Sequence, residues 1–378
     1  MFTTILFDID GVMLSEERYF DASALTVYEV LFSSDFLELP TPSAWPQFQL
    51  SPSESTIRAV RRQVFANDEV LFAMKSRGVN ANWDMVYLQT TFQLACLMKH
   101  CLQAGVPESS LLDVCQAGWH GDTLKALGQL AKQVVADFQL NFAAFLNAAK
   151  ACKNKADLFD MCDAQLHAML PGAVAFSHGR ALWDTLQQLF QTWYLGDDYR
   201  SDGHRTTGKR GFLLDEVAIV NPQAFAELLN TLCTAGCTLG IATGRPGVET
   251  RVPLESMGWL HYFDPLRISS ASDVLAAERL IPSTAPLSKP HPYSYLRSFL
   301  GSPNVEEVLR HELPLSSEEV SRTLIVGDSV ADFLAAKRMG CHFAAVLTGL
   351  EGGAARTQFE SLGVEYILEN VLALPSIL

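Results

Sequence analysis

A short apolar strand at the start of the chain runs straight into two acids. Thr3-Thr4-Ile5-Leu6-Phe7 is followed by Asp8 and Asp10. Carboxylates are costly to bury and repel one another, so a chain that ends a strand on this pair needs something to compensate them. A bound cation is the obvious candidate. The strand also needs partners in a sheet, and the next segments of its kind begin only at Thr238.

From there the chain alternates strand and helix. Asn221 and Pro222 read as an N-cap and first helical residue, and Phe225, Leu228, Leu229 and Leu232 form one apolar face that Gly236 closes. Residues 238–244 read as a buried strand ending in a turn. Residues 247–257 suit a helix with Pro253 inside it. Residues 266–269, 323–328 and 343–349 are further strand candidates, with a helix marked by Val330, Phe333, Leu334 and Met339 before the last. Such alternation implies a parallel sheet covered by helices on both faces.

The stretch between is helical in pattern. Apolar spacings of three and four recur through residues 21–193, as in Leu88, Phe92, Cys96 and Leu102, or Leu124, Leu127, Leu130 and Val134. Such stripes are bundle core. The expected architecture is therefore an α/β domain, residues 1–14 and 212–378, with an all-α domain, residues 15–211, inserted after the first strand. The returning stretch, residues 195–212, is polar and glycine-rich and reads as a linker or mobile loop.

Composition narrows the function classes. With 42 acidic against 28 basic residues the formal net charge is -14, a poor match for nucleic acid or an anionic membrane. It is no bar to a small phosphorylated substrate, because positive charge can be concentrated in a site. The 8 cysteines make no CxxC pair and read as free thiols of a reducing, cytoplasmic protein. The first residues lack the pattern of a signal peptide, and no apolar run approaches a membrane span.

Four short segments carry candidate chemistry. Asp8 falls where a parallel sheet places its ligands, at a strand's carboxyl end. A carboxylate there can attack phosphorus, and a second one two residues on, Asp10, can protonate the leaving oxygen and then deprotonate water. In Ile241-Ala242-Thr243-Gly244-Arg245 a strand ends on a hydroxyl and a glycine, so the Thr243 side chain and the Gly244 N–H can donate to a phosphoryl oxygen. Lys289, set among prolines in Ser288-Lys289-Pro290, can neutralise Asp8 and an incoming phosphate. In Gly327-Asp328-Ser329-Val330-Ala331-Asp332 one helical turn brings two carboxylates near one point. Mg²⁺ takes hard oxygen ligands, and Asp8, Asp328 and the carbonyl of Asp10 can supply three. Asp328 or Ser329 is also a good N-cap.

In this order on an α/β chain, the four segments resemble the motifs of the haloacid-dehalogenase-like (HAD) superfamily: Asp8-Ile9-Asp10-Gly11-Val12, Thr243, Lys289-Pro290, and Gly327-Asp328-Ser329 with Asp332. The resemblance implies a Rossmann-like core bearing a helical cap of the type inserted after the first motif, here much larger than the usual one. It implies Asp8 as nucleophile and Mg²⁺ ligand, Asp10 as general acid/base with its carbonyl on the metal, and Thr243 and Lys289 on the phosphoryl group. Asp328 would hold the metal, with Asp332 and Ser329 in support. Asp10 points away from the dehalogenase branch, which lacks this second aspartate, and toward phosphotransfer. The resemblance also implies a sharp bend with a cis bond at Lys289-Pro290.

The expected activity is a Mg²⁺-dependent phosphatase acting on a small phosphorylated metabolite through an aspartyl-phosphate. The alternatives are a phosphomutase of the beta-phosphoglucomutase type and a regulatory protein that uses the large insert to bind a partner. For substrate contact the candidates are Gly244 and Arg245, then Arg205 and Lys209 in the basic loop with Arg200, His204 and Arg210. Glu16, Arg18 and Tyr19 follow the first motif closely, and Arg58, Arg61 and Arg62 form a basic cluster that reads first as a solvated helix face.

Overall fold

The computed structural model describes residues 2–134, 138–200 and 206–378. The chain divides into two compact units. One comprises Met1–Glu17 and Leu213–Leu378, the other Arg18–Phe212.

The first unit is built on a six-stranded parallel sheet: β1 (Thr4–Phe7), β2 (Thr238–Ala242), β3 (Ile268–Ser269), β4 (Thr323–Gly327), β5 (His342–Val346) and β6 (Tyr366–Leu368). The strand order is β3-β2-β1-β4-β5-β6, and every neighbouring pair is parallel. Parallel strands need both faces covered and read as near-continuous apolar runs, as Ile5, Leu6 and Phe7 do, all fully buried. Successive side chains point to opposite faces. Ile5 and Phe7 join a core with Phe225, Leu229 and Trp259, while Leu6 joins Ile325, Tyr295, Ala335 and Ala336.

Helix ends follow the capping chemistry of the sequence. The Asn221 side chain caps Pro222–Thr234 by accepting the Ala224 N–H at 3.1 Å. Helix Gly247–Ser256 accommodates Pro253. In helix Val330–Met339 the apolar face differs from the expected one. Leu334 faces solvent, and Ala335, Ala336 and Met339 pack inward, the small alanines letting the helix sit close on the sheet. Strand β6 had no distinct signal in the sequence, since three residues at a sheet edge show no periodicity.

The sheet topology fixes where a ligand site belongs. The chain leaves β1 toward β2 and β3, then crosses back to β4 on the other side of β1. That reversal is a switch point, and it opens a crevice at the carboxyl ends of the central strands. Register levels Phe7 with Ile241 and Val326, so Asp8, Thr243 and Asp328 emerge along one edge.

The second unit contains only helices and loops among its described residues. Its long helix Asn82–Gln103 is buried over most of its surface and packs against Lys155–Met169 and Ala181–Leu195. The segment expected to be a loose linker is tied at its described ends. The Asp197 carboxylate accepts from Thr207 N–H and O–H and from Gly208 N–H at 2.7–3.0 Å, and Phe212 N–H donates to the Tyr194 carbonyl. Asp197 and Thr207, two of the polar residues that suggested mobility, are spent on these bonds. No helix among the described residues is long and apolar enough to cross a membrane.

Candidate active site

Asp8 is the first residue beyond β1, and its N–H still pairs with the Val326 carbonyl of β4 at 2.9 Å. The chain then turns tightly. Leu14 accepts from Gly11 N–H, and Gly11 adopts a left-handed φ of 70°. A side chain at Gly11 would be strained and its Cβ would collide with the Asp328 carboxylate. A Cβ at Gly349 would meet the same carboxylate. Two bare backbone segments thus wall Asp328, one of them anchored by the Thr348 hydroxyl on the Gly11 carbonyl at 2.6 Å.

Three carboxylates converge there. Oxygens of Asp8, Asp328 and Asp332 all lie within 4.8 Å of one another. Lys289 Nζ sits between two of them, 2.9 Å from Asp8 Oδ1 and 2.8 Å from Asp332 Oδ1, above the Tyr295 ring. The Lys289-Pro290 bond is cis. Asp332 is further held by the Tyr295 hydroxyl at 2.8 Å and the Ser329 hydroxyl at 2.6 Å. Ser329 and Asp332 also form the capping box of their helix, so the capping reading and the site reading are both satisfied.

One lysine cannot neutralise three acids. Burial pushes Asp8 up to about 7, with Lys289 opposing and Asp332 and Asp10 reinforcing. Asp328 is driven well above its usual range by burial and then by Asp332 and Asp8. For Asp332 the pull of Lys289 and its hydrogen bonds overcomes burial and holds it low. Burial alone would depress Lys289, but Asp332 and Asp8 outweigh it and hold the lysine charged. Among the described residues no basic side chain pairs with Asp328. This excess of hard oxygen donors over cations fits a small divalent ion.

Thr243 lies one residue beyond β2. Its N–H donates to Ser269 and its hydroxyl accepts the Arg245 N–H at 3.1 Å, which leaves the O–H proton to donate. Gly244 is exposed, with open space where a Cβ would stand. Arg245, a candidate for substrate contact, is instead taken up by two acids of the chain. Its guanidinium is buried, with Nε and Nη2 on Asp10 Oδ1 at 2.9 and 2.6 Å and Nη1 on Glu216 Oε1 at 2.7 Å. Lys209 is also corrected. It is buried in the helical unit, with Nζ 2.5 Å from Glu29 Oε2 and 2.7 Å from Thr192 Oγ1. Its hydrocarbon stem and aromatic neighbour Trp193 let it fold inward. Arg205 and His204 lie outside the described residues.

In the helical unit the basic cluster is an internal charge network. Arg18, Arg58 and Arg61 surround the fully buried Asp21, Arg61 also forks onto Asp68, and Arg62 caps the Arg58 carbonyl. Tyr19 stacks on Tyr194. Two residues of the site were missed from the sequence, Tyr295 and Glu216. Each acts through a partner far along the chain, and neither stands in a motif.

A parallel sheet of this order, with three acids gathered at its switch point, places a candidate catalytic crevice at the carboxyl edge of the sheet. A family model described as HAD-hydrolase-like matches residues 287–374, from the lysine loop to just beyond β6. Over these residues, which hold Lys289, Asp328 and Asp332, the chain is similar to HAD-like hydrolases. It is similar over nearly its whole length to the crystal structure of a Northeast Structural Genomics Consortium target, at 34% identity, 99% of this chain and 98% of that one, TM-score 0.87. Distant matches include a predicted phosphoglycolate phosphatase from Haemophilus somnus, at 14% identity, 100% and 97% coverage and TM-score 0.38. A phosphatase from Thermococcus thioreducens matches at 15% identity, 89% and 87% coverage and TM-score 0.39. Similarity that low carries no weight for activity. A search of curated proteins gave no match.

Proposed function

We propose that this protein is a Mg²⁺-dependent phosphatase that hydrolyses a small phosphorylated metabolite through an aspartyl-phosphate on Asp8. The observation that carries the reading is the Asp8–Lys289–Asp332 bridge beside Asp328 at the switch point, with Asp10 two residues on. Asp8, Asp328 and the Asp10 carbonyl would hold Mg²⁺, which offsets the charge of the carboxylates and phosphoryl oxygens.

The chain's own groups account for the remaining chemistry. Lys289, Thr243 Oγ1 and the Gly244 N–H bind the phosphoryl oxygens. Asp8 Oδ1 is occupied by Lys289 and by the Ile9 N–H at 2.8 Å, which leaves Oδ2 to attack phosphorus. As the ester P–O bond breaks, Asp10 gives its proton to the departing oxygen and an alcohol leaves. The Asp10 carboxylate then takes a proton from water as that water attacks the phosphorus of the aspartyl-phosphate. Inorganic phosphate departs and Asp8 is regenerated.

The test is hydrolysis of a panel of small phosphate esters with Mg²⁺, alongside EDTA and Asp8→Asn. Metal-dependent turnover that Asp8→Asn abolishes supports the reading. Turnover that survives Asp8→Asn removes it.

A further inference from the structure

Arg245 joins two buried acids from distant parts of the chain. Its Nε and Nη2 both donate to the same oxygen of Asp10, and Nη1 donates to Glu216. The Arg245 and Glu216 side chains are each 1% exposed. Glu216 lies at the start of the segment that re-enters the sheet unit. That segment pairs with the one that leaves it: Ser15 N–H donates to Val217, Ile219 N–H donates to Met13, and Leu14 bridges Ala218 in antiparallel sense. Glu216 is therefore anchored on ordered backbone, and its carboxylate fixes the guanidinium from behind.

We propose that Arg245, braced by Glu216, is a positioning residue that aims the Asp10 carboxyl for leaving-group protonation; this rests on the reading of Asp8 and Asp10 given above. Both donors land on Oδ1, so Oδ2 is the oxygen that carries the proton to the departing group. Glu216 balances the guanidinium charge, so the arginine acts on Asp10 as a geometric clamp. A planar fork with two donors in fixed relation does this, whereas an ammonium cannot hold a carboxyl in one rotamer. In the sheet order the clamp spans β2 and the loop after β1, which places Asp10 between the nucleophile's strand and the Thr243 turn.

Leaving-group dependence tests the proposal. Expulsion of an alkoxide needs a proton, whereas p-nitrophenolate leaves without one. The kcat/KM ratio between an alkyl phosphate and p-nitrophenyl phosphate therefore isolates the aim of Asp10. Arg245→Lys and Glu216→Gln should each lower kcat/KM for the alkyl ester on the order of 10²-fold, at least tenfold more than for the aryl ester, and Asp10→Asn should show the same pattern more strongly. The double variant Arg245→Met with Glu216→Leu removes both charges together and guards against misfolding, and it should resemble Asp10→Asn. If Arg245→Lys and Glu216→Gln lower both esters equally, or neither, while Asp10→Asn discriminates between them, the clamp is overturned and the phosphatase reading stands. If Asp8→Asn retains turnover, both fall.

Discussion

Replacing Asp8 by asparagine tests the electrostatics of the site without any substrate. In the folded protein Asp8 is pushed from 3.8 to about 7, by burial first, against Lys289 and with the help of Asp332 and Asp10. Between those values the folded state keeps a proton that the unfolded chain has released, so stability falls as pH rises through that window and is level above it. At about 1.4 kcal/mol per pH unit the ceiling is about 4 kcal/mol. Asp328 shares the same repulsion, so relieving one acid recovers roughly 2–4 kcal/mol. For a unit the size of the sheet unit each kcal/mol moves Tm by roughly 2–4 °C, so in EDTA at pH 8 the unit's transition in Asp8→Asn should lie about 4–16 °C above the parent's, with a gap of about 2 °C or less at pH 4. Mg²⁺ at pH 8 should raise the parent's Tm and narrow the gap, because the variant lacks one of the proposed ligands. The measurement is a set of melting curves at both pH values, with and without metal. An equal gap at pH 4 and pH 8 in EDTA would refute the reasoning.

Three further outcomes are expected. Lys289→Met strands Asp8 and Asp332 in the site and should cost about 3–5 kcal/mol at pH 8, read from the urea midpoint, with a smaller loss at pH 5 where protonation relieves the acids. Gly349→Ala drives a Cβ into the Asp328 carboxylate and should cost about 1–3 kcal/mol, and calorimetric titration should show weakened Mg²⁺ binding. In the helical unit Lys209→Met leaves Glu29 buried without its partner and should cost about 3–5 kcal/mol, while adding Glu29→Leu should recover most of that loss in denaturant melts.

How much of the site could be read in advance depends on the distance over which each signal acts. A strand that stops on Asp8 and Asp10, a glycine turn after Thr243, and Gly327-Asp328-Ser329 before a helix are all local patterns, because strand ends and caps are decided by a few adjacent residues. Lys289 had a weaker local signal, a lysine set among prolines that alone reads as a solvated side chain, and it stood out only in company with the other three segments. Arg245 was read from its neighbours alone. Directly after Thr243 and Gly244 it looked like a substrate contact, but its guanidinium is held by Asp10, 235 positions away. Lys209 sat in a basic, polar run that resembled a solvated loop, and only the packing of Trp193 and Glu29 shows why it turns inward.

The sequence by itself determined the alternation of strand and helix, the insertion of a helical unit after the first strand, and the residues that end the strands. These follow from periodicity and turn chemistry, which are properties of neighbouring residues. The tertiary structure decided the order of the strands, and with it which acids share one lysine and which are left in excess. It also decided that Arg245 holds Asp10 and Glu216 together, and that Arg18, Arg58 and Arg61 are bound up with Asp21. Buried charges settle on whichever opposite charge the fold brings near, because desolvation makes an unpaired one too costly, and that choice is made in space rather than along the chain.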